Sequence, residues 1–80
     1  MNPMNRVSLV RMKRNQKGKI VEIAGGKALH DRLTAMGIYV GKEVALLNHS
    51  IFKGPVAIRV GRSILALGFG MASKIIVEVE

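Results

Sequence analysis

The chain has 80 residues, of which 49% are hydrophobic, and 13 Lys and Arg oppose 5 Asp and Glu for a net charge of +8. That length suits one domain over residues 1–80, with residues 1–6 expected as a flexible N-terminal extension. The absence of cysteine excludes a disulfide framework and thiolate metal ligation.

In chain order, residues 7–12 read as a first extended segment with Val7, Leu9 and Met12 turned inward. Lys13-Arg14-Asn15-Gln16-Lys17-Gly18 is a polar turn ending in glycine. Residues 19–24 then alternate, placing Val21 and Ile23 on one face and Ile20, Glu22 and Ala24 on the other. The clearest helix follows, over residues 27–36. Leu29, Leu33 and Met36 fall at i, i+4 and i+7 on a single face. Gly25-Gly26 opens it and Gly37 closes it; with Gly37 left-handed at C′, Leu33 and Ile38 form the apolar pair of a Schellman cap.

Residues 43–48 are apolar on both faces (Val44 and Leu46, Ala45 and Leu47), as in a central strand. Residues 48–55 make the longest connection, and Pro55, which cannot donate to a ladder, belongs at a strand start or on an edge. Val56, Ile58 and Val60 alternate, and Gly61-Arg62 is a hairpin turn into residues 63–67. Residues 68–73 are short and glycine-rich, which predicts a tight turn or a 3₁₀ piece. Ile75, Val77 and Val79 alternate to the end. One helix among five or six short strands predicts a mainly β chain folded as a small barrel with a decorated loop. The core expected is Val21, Ile23, Val44, Leu46, Val56, Ile58, Leu65, Leu67, Ile75 and Val77, with Leu29 and Leu33 docking the helix.

Function classes narrow quickly. The hydroxyls of Ser8, Thr34, Ser50, Ser63 and Ser73 stand in no nucleophile motif, which argues against an enzyme. His30 and His49 are separate and read as exposed non-ligands, so neither a high-affinity iron site nor a cofactor is expected. Walker A needs glycine five positions before its Gly-Lys pair and Ser or Thr after it. Those places hold Val21 and Ala28 around Gly26-Lys27, and Met36 and Glu43 around Gly41-Lys42. Residues 1–6 lack an apolar signal region, and the longest uncharged run, 63–73, is about half the roughly 20 residues of a membrane span. A cytoplasmic protein is therefore expected.

Arg6, Arg11, Lys13, Arg14, Lys17 and Lys19 all precede the first acid, Glu22. Such a field suits an acidic partner, a nucleic acid or an anionic membrane surface, or simply keeps a small protein in solution. Tyr39, Phe52 and Phe69 are scattered and outside the basic segment, so nucleic-acid binding rests on phosphate attraction alone.

The ordered set of motifs resembles the FeoA domain family. Its carriers are Gly18-Lys19-Ile20-Val21-Glu22-Ile23, Gly25-Gly26, Arg32-Leu33, Met36-Gly37-Ile38 and Gly41, then Gly54-Pro55-Val56, residues 58–60, Leu65-Ala66-Leu67, Ala72 and Ile75-Ile76-Val77-Glu78. The resemblance implies an SH3-like barrel, and an accessory protein of ferrous iron uptake whose partner is the cytoplasmic GTP-binding domain of a ferrous iron permease. It also implies recruitment to the inner face of the cell membrane by that partner, and a family-level association with transition metal ions. A similar barrel forms the C-terminal domain of iron-dependent repressors, which leaves a nucleic-acid-binding or regulatory module as the alternative. Gly68 to Met71 depart from the charged residue and glutamate that many relatives carry before the alanine.

Partner binding is expected beside the decorated loop. Arg32 and His30 project from the helix, and Phe52 and Lys53 lie in the long connection. Arg11, Lys13, Arg14, Lys17 and Lys19 form a basic steering segment. The competing reading is that Phe52 caps the barrel end and Arg32 is a solvated helix charge.

Overall fold

Among the described residues, six antiparallel strands make up one sheet in the order β1-β6-β2-β3-β4-β5. In this computed structural model residues 5–49 and 52–80 are described. The strands are β1 (Asn5–Ser8), β2 (Lys17–Ile23), β3 (Glu43–His49), β4 (Val56–Val60), β5 (Ser63–Leu67) and β6 (Ile75–Val79). Helix α1 (Lys27–Ala35) joins β2 to β3, and helix α2 (Phe69–Ser73) joins β5 to β6. The inward faces of β2 to β6 share one apolar cluster, with Val7 of β1 packed against it. The sheet therefore curls around its own core, as the barrel expectation requires.

Asn5 and Arg6, expected in a flexible extension, belong to β1. Asn5 and Arg6 pair with Val79 and Glu78, because β6 offers its outer side as a ladder; residues 1–4 lie outside the described residues. After Ser8 the chain breaks into a 3₁₀ turn, Leu9–Arg11, instead of continuing extended. The turn drops both Leu9 and Met12 into the core, while Val7 is only partly buried. The polar turn after it is stitched to β3: Asn15 N–H donates to Leu46 O at 2.7 Å and Leu46 N–H to Gln16 O at 3.0 Å.

The facing of β2 corrects the simple alternation. Ile20 pairs with Val77 and Glu22 with Ile76, so Val21 is an extra residue in a bulge. Ile20 and Ile23 consequently both point inward, and Val21 is half-buried. Leu65 is likewise only partly buried, on the end strand β5, while Ile38, Val60, Val79 and Ala72 join the core.

Helix α1 ends as its residues dictate. Ile38 N–H donates to Leu33 O and Gly37 N–H to Thr34 O, each at 2.9 Å, and Gly37 has φ +82°. This is the paired bonding of a Schellman motif, with Leu33 and Ile38 both fully buried beneath it. Leu29 is partly buried and packs on the core.

Residues Phe69–Ser73 form a single α-helical turn where a tight turn or 3₁₀ piece was expected. Ala72 N–H donates to Gly68 O at 2.9 Å, and Ser8 Oγ–H donates to Ser73 O at 2.9 Å. Burial of Ala72 against the core and this tie to the end of β1 outweigh the poor helix propensity of glycine.

Candidate functional site

The residues expected to form the helix-and-loop patch sit on α1 and on the connection between β3 and β4. Arg32 is exposed on α1. His30 is half-buried, and its Nε2–H donates to Ile23 O at 2.8 Å, pinning the helix to the end of β2. It follows Leu29 in the helix, close enough to the inward stripe to find that carbonyl. His30 is therefore not an outward contact, while His49 is exposed at the end of β3. Phe52 is 89% exposed, and Lys53 holds its Nζ 6.0 Å from the centre of the Phe69 ring. The loop thus adjoins α2. Among the described residues no hydrogen bond, ion pair or cation–π contact joins Arg32 to Phe52 or Lys53.

The residues of the basic segment are all exposed but differ in their neighbours. Arg11, Lys13 and Arg14 are exposed around the 3₁₀ and polar turns. Lys19 sits between Glu43 of β3 and Glu78 of β6 in the ladder, so carboxylates flank its charge on both sides. Glu78 also meets Arg6, Nε to Oε2 at 3.6 Å. Lys17 instead faces Ala45, and Ala45 faces Arg59.

That last row frames a concavity. Ala45 has only a methyl group, so the sheet dips between the long side chains of Lys17 and Arg59. Gly41 and Gly61 add no side chains to fill the rim. The result is a recess of about 400 Å³ lined by Lys17, Tyr39, Lys42, Glu43, Arg59 and their glycine neighbours. Lys42 Nζ lies 5.9 Å from the centre of the Tyr39 ring, within cation–π range. Lys17, Lys42 and Arg59 make no ion pair within 4.0 Å among the described residues. Three cations beside an aromatic ring attract a carboxylate or a phosphate, and one Glu does not offset them. Reading along the sequence missed this site because its residues come from three strands and two turns. The alternation of the strands, once aligned, would have put Lys17 and Arg59 either side of Ala45.

Among the described residues, no group of three or more His, Cys, Asp or Glu is placed to hold a metal ion. No described helix is long and apolar enough to cross a membrane.

The FeoA domain family model matches residues 7–79. The chain belongs to the FeoA domain family. The family is associated with ferrous iron transport and consists of small accessory domains. The chain is similar to a crystal structure of an iron uptake regulatory protein, FeoA, at 32% identity and a TM-score of 0.82, over 94% of this chain and 99% of that one. It is also similar to a FeoA-like protein from Clostridium acetobutylicum, at 26% identity and a TM-score of 0.80, over 92% and 86% of the two chains. A manganese-dependent transcriptional repressor matches 99% of this FeoA domain over 44% of its own length, with a TM-score of 0.86 and 16% identity. At that identity the likeness concerns the fold alone, which is SH3-like. Comparison with curated proteins gives no match.

Proposed function

We propose that this FeoA domain is a non-enzymatic accessory protein of ferrous iron uptake that docks on the GTP-binding domain of a ferrous iron permease at the cytoplasmic face of the membrane. Membership of the family supports the process. The observation that carries docking is the recess of Lys17, Lys42 and Arg59 beside Tyr39, whose cations have no ion-pair partner among the described residues. It is open, and Lys17 and Arg59 rise from hydrogen-bonded strands on either side of Ala45, which sets their spacing for an acidic surface. Positive potential of this kind speeds encounter with an acidic partner and orients it.

The test is affinity capture of the tagged protein from detergent-solubilised membranes, with and without nuclease, the captured proteins being identified by mass spectrometry. Recovery of the permease or its GTP-binding domain in both samples is the expected result. Recovery of nucleic acid and its associated proteins only, lost with nuclease, would overturn the proposal in favour of a basic barrel that binds nucleic acid.

A further inference from the structure

The two ends of the sheet, β1 and β5, are built differently. β1 carries Arg6, which reaches Glu78, and it runs directly into the 3₁₀ turn. β5 reads Ser-Ile-Leu-Ala-Leu, with no charge, no proline and no register shift along its pairing with β4. Proteins ordinarily blunt an edge strand with one of those devices, because an open row of N–H and C=O groups templates another strand.

The register identifies the open groups. Gly61 has φ +61° and Arg62 is not left-handed, so the hairpin closes through a type II′ turn on the Val60–Ser63 pair. Hydrogen-bonded and non-hydrogen-bonded pairs alternate from there. Ile58–Leu65 and Val56–Leu67 are bonded, while Arg59–Ile64 and Ala57–Ala66 are not. The N–H and C=O of Ile64 and Ala66 therefore point away from β4. Among the described residues nothing is bonded to them. Ile64 is 63% exposed and Ala66 is exposed, whereas Leu65 and Leu67 turn toward the core.

We propose that β5 is a strand-addition site, at which an extended acidic segment of a partner protein pairs with the backbone of Ile64 and Ala66. Charge selects the occupant. A second copy would bring a net charge of +8 against another +8. Arg59 stands beside Ile64 on the outer face and exposed Arg62 marks the hairpin tip; neither has an ion-pair partner among the described residues. An added strand would lie two strand spacings from β4, roughly 10 Å, which an arginine and a glutamate side chain span between them. Backbone pairing supplies the affinity in such complexes and the alternate side chains supply the selectivity.

The experiment uses the ¹⁵N-labelled full chain and a short capped peptide of alternating valine and glutamate. The amide signals of Ile64 and Ala66 should shift on titration, and their hydrogen exchange should slow by about tenfold or more. A peptide with lysine in place of glutamate should leave them unchanged. Ala66→Pro removes an N–H that the fold does not use, and should weaken the valine–glutamate peptide by about tenfold or more. Ile64→Glu, which keeps every backbone hydrogen bond, should do the same by repulsion and serves if the proline variant fails to fold. Equal binding of the parent and Ile64→Glu, or no change at the Ile64 and Ala66 amides, would overturn the site. Protection of the same amides by self-association without peptide would overturn the acidic occupant. The peptide contains nothing of a permease, so its result stands apart from the outcome of affinity capture.

Discussion

Gly37 offers a clean measurement of what one backbone angle contributes to this fold. Its φ of +82° lies in the left-handed region, and a Cβ built there would meet no heavy atom within 4 Å. Substitution therefore adds conformational strain without a clash. For an L-residue that strain is about 1–2 kcal/mol, with valine at the upper end because its branch restricts χ1. In a domain of this size each kcal/mol lowers Tm by about 4–8 °C, so Gly37→Val should melt roughly 4–16 °C below the parent. Gly37→Asn should recover much of the loss, since asparagine tolerates the left-handed region. Gly26 is the control. It also has nothing within 4 Å of a built Cβ, but its φ is −83° at the helix N-cap. Gly26→Ser should gain a few tenths of a kcal/mol from capping and a less flexible unfolded chain. Thermal and urea unfolding followed by far-UV circular dichroism gives both values, and an unchanged urea slope would place the effect on the folded state. Equal melting temperatures for Gly37→Val and the parent would refute the cap.

Gly18 tests close approach instead: a built Cβ lies 2.9 Å from Val79 Cγ1 and 3.2 Å from Val77 Cβ, so Gly18→Ala should cost about 1–3 kcal/mol by overpacking β2 against β6. A Gly18→Ala protein as stable as the parent in urea would contradict that packing. His30→Ala removes the bond to Ile23 O and should cost about 1 kcal/mol in the same assay, whereas a solvated histidine would cost nothing. Arg59→Glu reverses one wall of the recess and should slow association with the permease domain, the difference shrinking as salt rises; stopped-flow rates that match the parent at low salt would remove the recess from the docking surface. Arg32→Ala and Phe52→Ala should each weaken binding by about 1 kcal/mol or more with Tm unchanged if they are anchors, and unchanged affinity by calorimetry in both would leave them as solvated surface groups.

Local chemistry made several elements legible along the chain. The apolar spacing of α1, the left-handed glycine at its end and the Gly61-Arg62 turn are each specified by neighbours within a few residues. β4 and β6 alternate cleanly because only one face of each meets the core. The family likewise followed from the order and spacing of motifs, which the match over residues 7–79 bears out.

Only the tertiary structure decided the rest. The bulge at Val21 depends on how β2 lies against β6, some fifty residues on, and one extra residue reverses the faces before and after it. The helical turn Phe69–Ser73 exists because Ala72 has a core to enter, which glycine propensities do not register. His30 looked outward by helical position, yet the end of β2 brings a carbonyl to it. The recess needs Lys17, Tyr39, Lys42 and Arg59 to converge over the small side chain of Ala45, and the open backbone of Ile64 and Ala66 needs β5 to stand at the end of the sheet. The sequence therefore determined the elements, whose bonds close within a few residues, while pairing between distant strands determined the surfaces where a partner would meet them.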